Sequence, residues 1–435
     1  MSELVYAGVG KPRYGQPCAD VGLLRKITSV GIAWRPDRVR SKKDFTLSNA
    51  NSVSAVELIA AARAAVPGLE DFGAPPLSPV FERMVQAMNQ EGRLSERGAT
   101  GRGQHIVHLL SNRLRLTNML RRRPELATAP LGRPVVIVGL PRSGTTKMQR
   151  MLVRDEQFNS IMTWECLSPV PLSDDPDERQ KRIQIGEGFC SAFKTYFPDF
   201  YAAHPIEAHE PEEDMVLMQH SFLTESLDAE MHVPGFVDWL RTQDHEPMYR
   251  QLSLLLRVLA EQHGKIGQPW LLKGTYHGIC LDVLLKVFPD AKVVYFHRDP
   301  VETIASYASL VSKMRRMLSD EVDSREVGQE LLRYWAWHQN KMLQVRDTLP
   351  KGAILDIDYP DILRNASMVA ERIYAFAGLN LTSKARAAML AWETQNAQHR
   401  HGKHDYAIAD YGISAAQIKT ACAVYRQRFI ENQLK

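Results

Sequence analysis

Cysteine is scarce in this chain: five in 435 residues, at Cys18, Cys166, Cys190, Cys280 and Cys422, with no C-x-x-C pair. So few and so scattered, they argue against a disulfide framework and against a thiolate metal site. They fit a reducing compartment. Long apolar runs are missing as well; none approaches the ~18 residues that a spanning helix needs. The opening stretch MSELVYAGVGKPRYG has no apolar segment behind a basic start, so no secretory leader is predicted. These readings predict a cytoplasmic protein with no integral membrane segment. Excess charge of one sign is also lacking: the formal net charge is +4. That balance calls for neither a nucleic acid nor a membrane surface, and a small anionic ligand needs only a few local cations. With 44% apolar and 24% charged residues, a largely disordered chain is excluded. There are no repeats and no low-complexity tracts.

The length predicts an α/β domain over 131–435 preceded by an arm and helical region over 1–130. Residues 1–50 read as an irregular basic arm. Ser54 followed by Glu57, and Ser78-Pro79, mark helix starts. From about 104 to 123, leucines at helical spacing between arginines predict an amphipathic helix covering the sheet, with Arg121 to Arg123 as its solvated end. Pro134 to Gly139 then reads PVVIVG, a β-branched run without polar alternation, as in a strand buried on both faces. A helix is expected near 213–227. Further strands are expected at 270–272, 292–296 and 353–357, alternating with helices at 281–288 and 326–348. Asp299-Pro300 with Glu302 reads as a capped helix start. Strands alternating with helices imply a P-loop-like three-layer α/β fold with a central, mainly parallel sheet, plus the N-terminal helical region.

Two runs carry chemistry. The first is Gly139-Leu140-Pro141-Arg142-Ser143-Gly144-Thr145-Thr146, which ends a strand and opens a helix. Such a turn offers backbone N–H groups to an anion. The run resembles G-x-x-x-x-G-K-[ST], but Thr145 stands where that pattern has lysine. Arg142 supplies the cation, with Ser143, Thr145 and Thr146 as hydroxyl donors. Without the lysine, β- and γ-phosphates with magnesium fit poorly, whereas a guanidinium suits a phosphosulfate bridge. The second run is Phe296-His297-Arg298-Asp299-Pro300, with Ser306 further along the following helix. Arg298 leaves a strand at the edge where such sheets bind ligands.

The pair of runs resembles the 3′-phosphoadenylyl-sulfate (PAPS)-dependent sulfotransferases. The first is similar to their 5′-phosphosulfate loop, in the P-R-S-G-T-T form of tyrosylprotein sulfotransferases and many bacterial members. The second is similar to their 3′-phosphate site, an arginine followed eight residues later by a serine. The resemblance covers Pro134 to Ser312 and continues loosely through Ala353 to Leu379. It implies PAPS as sulfuryl donor, no metal, no nucleic acid, and a small-molecule hydroxyl acceptor, an apolar one among the candidates. It further implies donor contacts from Arg142, Ser143, Gly144, Thr145, Thr146, Arg298 and Ser306. Lys273 corresponds to the lysine that touches the bridging oxygen; a strand-end surface lysine is the plain alternative. Glu165, in Thr163-Trp164-Glu165, corresponds to the tyrosylprotein enzymes' base after a two-residue insertion; a capping or salt-bridged glutamate is its alternative. His277 lies two residues beyond the place of the histidine that cytosolic members use. His204, His209 and the acidic residues Glu207, Glu210, Glu212 and Glu213 form another polar cluster that could border the site. A basic segment, His399 to His404, reads as a solvated loop, and a homodimer is the base-rate expectation. The rival readings are a P-loop-type nucleotide kinase or hydrolase, with Asp356 offered as a magnesium ligand, and an inactive nucleotide-binding module.

Overall fold

Val135 to Val138 are all 0–1% exposed, as a strand without polar alternation requires. Burying four such side chains is worth roughly 1.5–3 kcal/mol each, a sum comparable to the stability of a whole domain. The strand that carries the first loop is therefore firmly anchored. The computed structural model describes residues 52–396 and 407–431. The N-terminal arm, Cys18 and the His399 to His404 segment lie outside the described residues.

Four parallel strands, β1 (Val135–Gly139), β2 (Leu271–Lys273), β3 (Lys292–His297) and β4 (Ile354–Asp358), pair in the order β2-β1-β3-β4. Alternate residues face opposite layers. Val136, Val138, Leu272, Val293 and Tyr295 join the larger core with the helices Glu246–Gln262, Pro300–Leu318 and Ser324–Asp347. Ile137, Leu271, Val294, Phe296 and Ile357 join the second core with the helices Thr145–Leu152, Tyr359–Ala377 and Ser383–Gln395. The result is the helix-rich three-layer α/β fold expected. No helix of the described residues is long and apolar enough to cross a membrane.

Local signals hold where the chemistry is local. Ser54 Oγ accepts the Glu57 N–H at the start of Ala55–Ala65, and Asp299 Oδ1 accepts the Val301 N–H at the start of Pro300–Leu318. Two expectations need correction. The arginine-rich helix runs over Glu96–Arg122 and packs against Ala55–Ala65 and Pro300–Leu318, with buried arginines on its inner side. Arg113 is 1% exposed and donates to the carbonyls of Phe72, Gly73, Pro75 and His220. Four carbonyls replace its water, which no amphipathic pattern reveals. The single helix expected near 213–227 is broken: Met215–Met218 passes into a 3₁₀ turn, and Phe222 takes the left-handed backbone at φ 61°.

Candidate active site

Strand register pairs Ile137 with Lys273, Gly139 with Phe296, and His297 with Asp358. The loop after β1, the end of β2, Arg298 after β3 and Tyr359 after β4 therefore leave the sheet at one edge. The strand order changes direction at β1, which is where an open parallel sheet forms a ligand crevice.

Leu140 to Gly144 turn the chain from β1 into the Thr145–Leu152 helix. Arg142 (φ 69°) and Gly144 (φ 90°) both adopt the left-handed backbone. A Cβ on Gly144 would lie 2.9 Å from Ile362 Cδ1 and 3.3 Å from the Tyr359 ring, so glycine is favoured twice over. Ser143 is fully buried and donates its hydroxyl to the Leu140 carbonyl at 2.7 Å, tying the turn together. Thr145 is buried at the helix start.

Lys273 is 2% exposed, which rules out the surface-lysine alternative. Its Nζ donates to Thr146 Oγ1 at 3.2 Å and to Glu213 Oε1 at 2.7 Å. Glu213 is fixed from both sides: the Glu212 N–H donates to the Ile161 carbonyl and the Asp214 N–H to the Lys273 carbonyl. A strap crosses the loop next to it. Arg142 donates to the Ala203 carbonyl at 3.3 Å and Arg150 to the Pro205 carbonyl at 3.0 Å. His204 lies between these two carbonyls. Burial and then the Lys273 charge push its imidazole down to about 4, Glu213 acting in the opposite sense, so it is neutral at pH 7.

Arg298 rests on the first loop. Its Nη1 donates to the Arg142 carbonyl at 2.6 Å, its Nε to Glu302 at 2.9 Å, and its guanidinium sits 4.0 Å from the centre of the Tyr359 ring. Glu302, expected to close the helix cap, is thus paired with Arg298. Ser306 is buried two turns along the Pro300–Leu318 helix and is not among Arg298's described partners.

Two expected groups lie in other networks. Glu165 is 1% exposed; Oε2 accepts the Met162 N–H at 2.9 Å and Oε1 meets His263 Nε2 at 2.6 Å. Its position in the first turn of the Thr163–Leu167 helix lets the carboxylate reach back to the helix start, so the capping alternative is the one realised. His277 is fully buried, with Nε2 against Asp214 at 2.9 Å and Nδ1 against Tyr249 Oη at 2.8 Å. With both nitrogens engaged, it is a core histidine. Asp356 is likewise engaged, by His297 at 2.8 Å and Arg346 at 2.8 Å. Burial raises its carboxyl, but these two partners outweigh that and hold it low. His232, Glu326 and Glu330 are grouped closely enough to bind a metal, but Arg93 pairs with Glu326 at 2.6 Å and Arg315 with Glu330 at 2.7 Å. Cationic partners already balance those carboxylates. Cys166, Cys190, Cys280 and Cys422 are buried free thiols.

Sequence reasoning placed Glu213 and His204 only in a general polar cluster. The signal that singles out Glu213 is spatial, since Lys273 reaches it across 60 residues. Tyr359 carries no motif signal; its place under Arg298 depends on the fold.

The model of the sulfotransferase family matches residues 134–383, more than half of the chain. This chain belongs to the sulfotransferase family. The chain is 24% identical over 263 residues to the omega-hydroxy-beta-dihydromenaquinone-9 sulfotransferase Stf3 of Mycobacterium bovis and of Mycobacterium tuberculosis, spanning 57% of this chain. The match covers 63% of the length of those relatives. Among solved structures, sulfotransferase STF1 from Mycobacterium tuberculosis H37Rv superposes with a TM-score of 0.72 at 25% identity, covering 86% of this chain and all of that one. STF9 from Mycobacterium avium shares the fold, with a TM-score of 0.78 at 24% identity over 89% and 98% of the two chains. Membership of this family displaces the reading of the chain as a P-loop-type nucleotide kinase or hydrolase.

Proposed function

We propose that this sulfotransferase takes its sulfuryl group from PAPS and passes it to the hydroxyl of a small-molecule alcohol, with Glu213 rather than Glu165 as the base. One observation carries the reading: Lys273 Nζ lies 2.7 Å from Glu213 Oε1 and 3.2 Å from Thr146 Oγ1, on the first turn of the loop helix. A buried cation, a carboxylate and an anion loop meet at one point.

The side chains suit a donor with anionic groups at both ends. Arg142 and the loop N–H groups would hold its 5′ end. Arg298, with Ser306 along its helix, would hold the 3′-phosphate. The bound donor supplies the sulfuryl group whose bond to the leaving phosphate breaks as a bond to the acceptor oxygen forms. Lys273 turns its amine to the bridging oxygen and neutralises the charge that develops there. Glu213 Oε1, released from that amine, accepts the proton of the acceptor hydroxyl. Neutral His204 orients that hydroxyl from the strap. The Stf3 relatives are named for an omega-hydroxyl on a dihydromenaquinone, and an alcohol acceptor is in keeping with them.

Thermal-shift titration with adenosine 3′,5′-bisphosphate, without metal, tests the donor. At a hundredfold excess over Kd the bound nucleotide stabilises the fold by ~2.7 kcal/mol. The expected result is a clear upward shift in the wild type that is largely lost in Arg298→Ala. An absent shift, with one from ATP and magnesium in its place, would overturn the donor assignment.

A further inference from the structure

We propose that the acceptor is an alcohol with an extended apolar body, and that this body lies along a ladder of aromatic rings leading to the sheet edge. The inference rests on the sulfuryl-transfer reading above, because the ladder matters through the place where it ends.

The ladder begins on the Glu178–Tyr196 helix. Phe189 and Phe193, one turn apart, have ring centroids 5.6 Å apart. Phe193 meets Phe197 at 5.0 Å and Phe200 at 5.3 Å. Phe200 meets His204 at 5.8 Å. Facing these rings, the Pro300–Leu318 helix presents Tyr307, Leu310, Met314 and Met317, which share one helical face. Phe193, Phe197 and Phe200 form a small apolar cluster with the facing helix; Phe189 extends it from a neighbouring cluster, and Tyr307 also packs against the larger core. Phe189, Phe193, Phe197, Met314 and Met317 are only partly buried, unlike the rings that fill those cores. Partly open phenylalanines beside flexible methionines make an adaptable apolar lining.

Both sides of the cluster reach the reacting centre. Ala203 belongs to it, and the Ala203 carbonyl accepts from Arg142. Tyr307 belongs to it; burial and then the charge of Glu213 raise its phenol. His204 closes the ladder within electrostatic reach of Lys273 and Glu213. The charged groups beside the lining include the exposed Lys194, Asp199 and Arg316, and Lys313, whose amine burial pushes down against the pull of Asp199. A sugar needs a series of hydroxyl partners; this lining offers few.

The test uses the full chain, PAPS and a series of primary alcohols from 1-butanol to 1-dodecanol. The expected result is a kcat/KM that rises with chain length by about threefold per methylene, somewhat below the value for complete burial. In Phe193→Ala, and independently in Met314→Gln on the facing helix, the logarithmic slope against chain length should fall by about half. A level series in the wild type, or an unchanged slope in both variants, overturns the proposal. So does an absence of product from every alcohol while adenosine 3′,5′-bisphosphate still stabilises the protein; the donor reading then stands alone. If the bisphosphate fails to bind, the donor reading fails, and thermal shifts with 1-dodecanol alone decide the ladder. Stabilisation weakened in Phe193→Ala supports it; no stabilisation, or the same in the variant, overturns it.

Discussion

Glu165 and Glu213 sit in different surroundings, and the proposed roles follow from that difference. Glu165 has both carboxylate oxygens held by a backbone N–H and by His263. Glu213 has 19% of its side chain exposed and faces a buried lysine beside the loop. Glu213→Gln should keep the stabilisation by adenosine 3′,5′-bisphosphate and lower kcat by ~10²–10⁴, the usual contribution of a positioned base. Glu165→Gln should do the opposite. It weakens a buried acceptor network, costs ~1–3 kcal/mol in thermal melts, and leaves turnover per folded molecule within a fewfold of wild type. Transfer of labelled sulfate, run beside the melts, separates the two; a collapse of turnover in Glu165→Gln with Glu213→Gln active would reverse the assignment.

Among the elements, the loop after β1 carries a strained residue beside a relaxed one. Arg142 holds a left-handed backbone that costs an ordinary residue roughly 1–2 kcal/mol, whereas Gly144 holds one that suits it. Arg142→Gly should therefore melt at or above the wild-type temperature while losing more than a hundredfold in turnover. Gly144→Ala should lower stability by about 2 kcal/mol and weaken bisphosphate binding. A destabilised Arg142→Gly would show that its bond to the Ala203 carbonyl outweighs the strain. The legible elements were those specified locally. β1 is a run of β-branched residues closed by Gly139, the Asp299 cap lies two residues from the N–H that donates to it, and the glycine, arginine and threonines of the loop lie in one short run. What stayed hidden depends on distant partners. Arg113 is buried because carbonyls from Phe72 to His220 converge on it, and Glu213 is singled out by a lysine on another strand. Phe222 breaks its helix although phenylalanine carries no turn signal.

At the scale of the whole molecule, one apolar core runs from Val53 to Phe429, so the N-terminal helices and the sheet share their packing. Into that frame the chain folds several neutral histidines. Burial pushes His105 and His220 down to about 3, and His108 and His338 down to about 4. In the unfolded chain each returns to about 6.5. Because the folded values are depressed, the unfolded state binds more protons as pH falls below 6.5, and stability is lost on acidification until the folded values are reached. Each histidine contributes about 1.4 kcal/mol per pH unit in that window, so four together contribute on the order of 5 kcal/mol per unit. Glu225 acts in the other direction. Burial raises its carboxyl to about 7, so the folded state gains stability as pH falls from there toward the ordinary carboxylate range. One such group offsets about one histidine. Against a total stability of ~5–15 kcal/mol, the remainder is enough to unfold the protein within a few pH units below 6.5. Melting temperatures recorded from pH 7.5 to 4.5 should hold above pH 6.5 and drop steeply beneath it. A level profile down to pH 5 would mean that these histidines take up protons without unfolding, and that their burial is opened by motions of the surrounding helices.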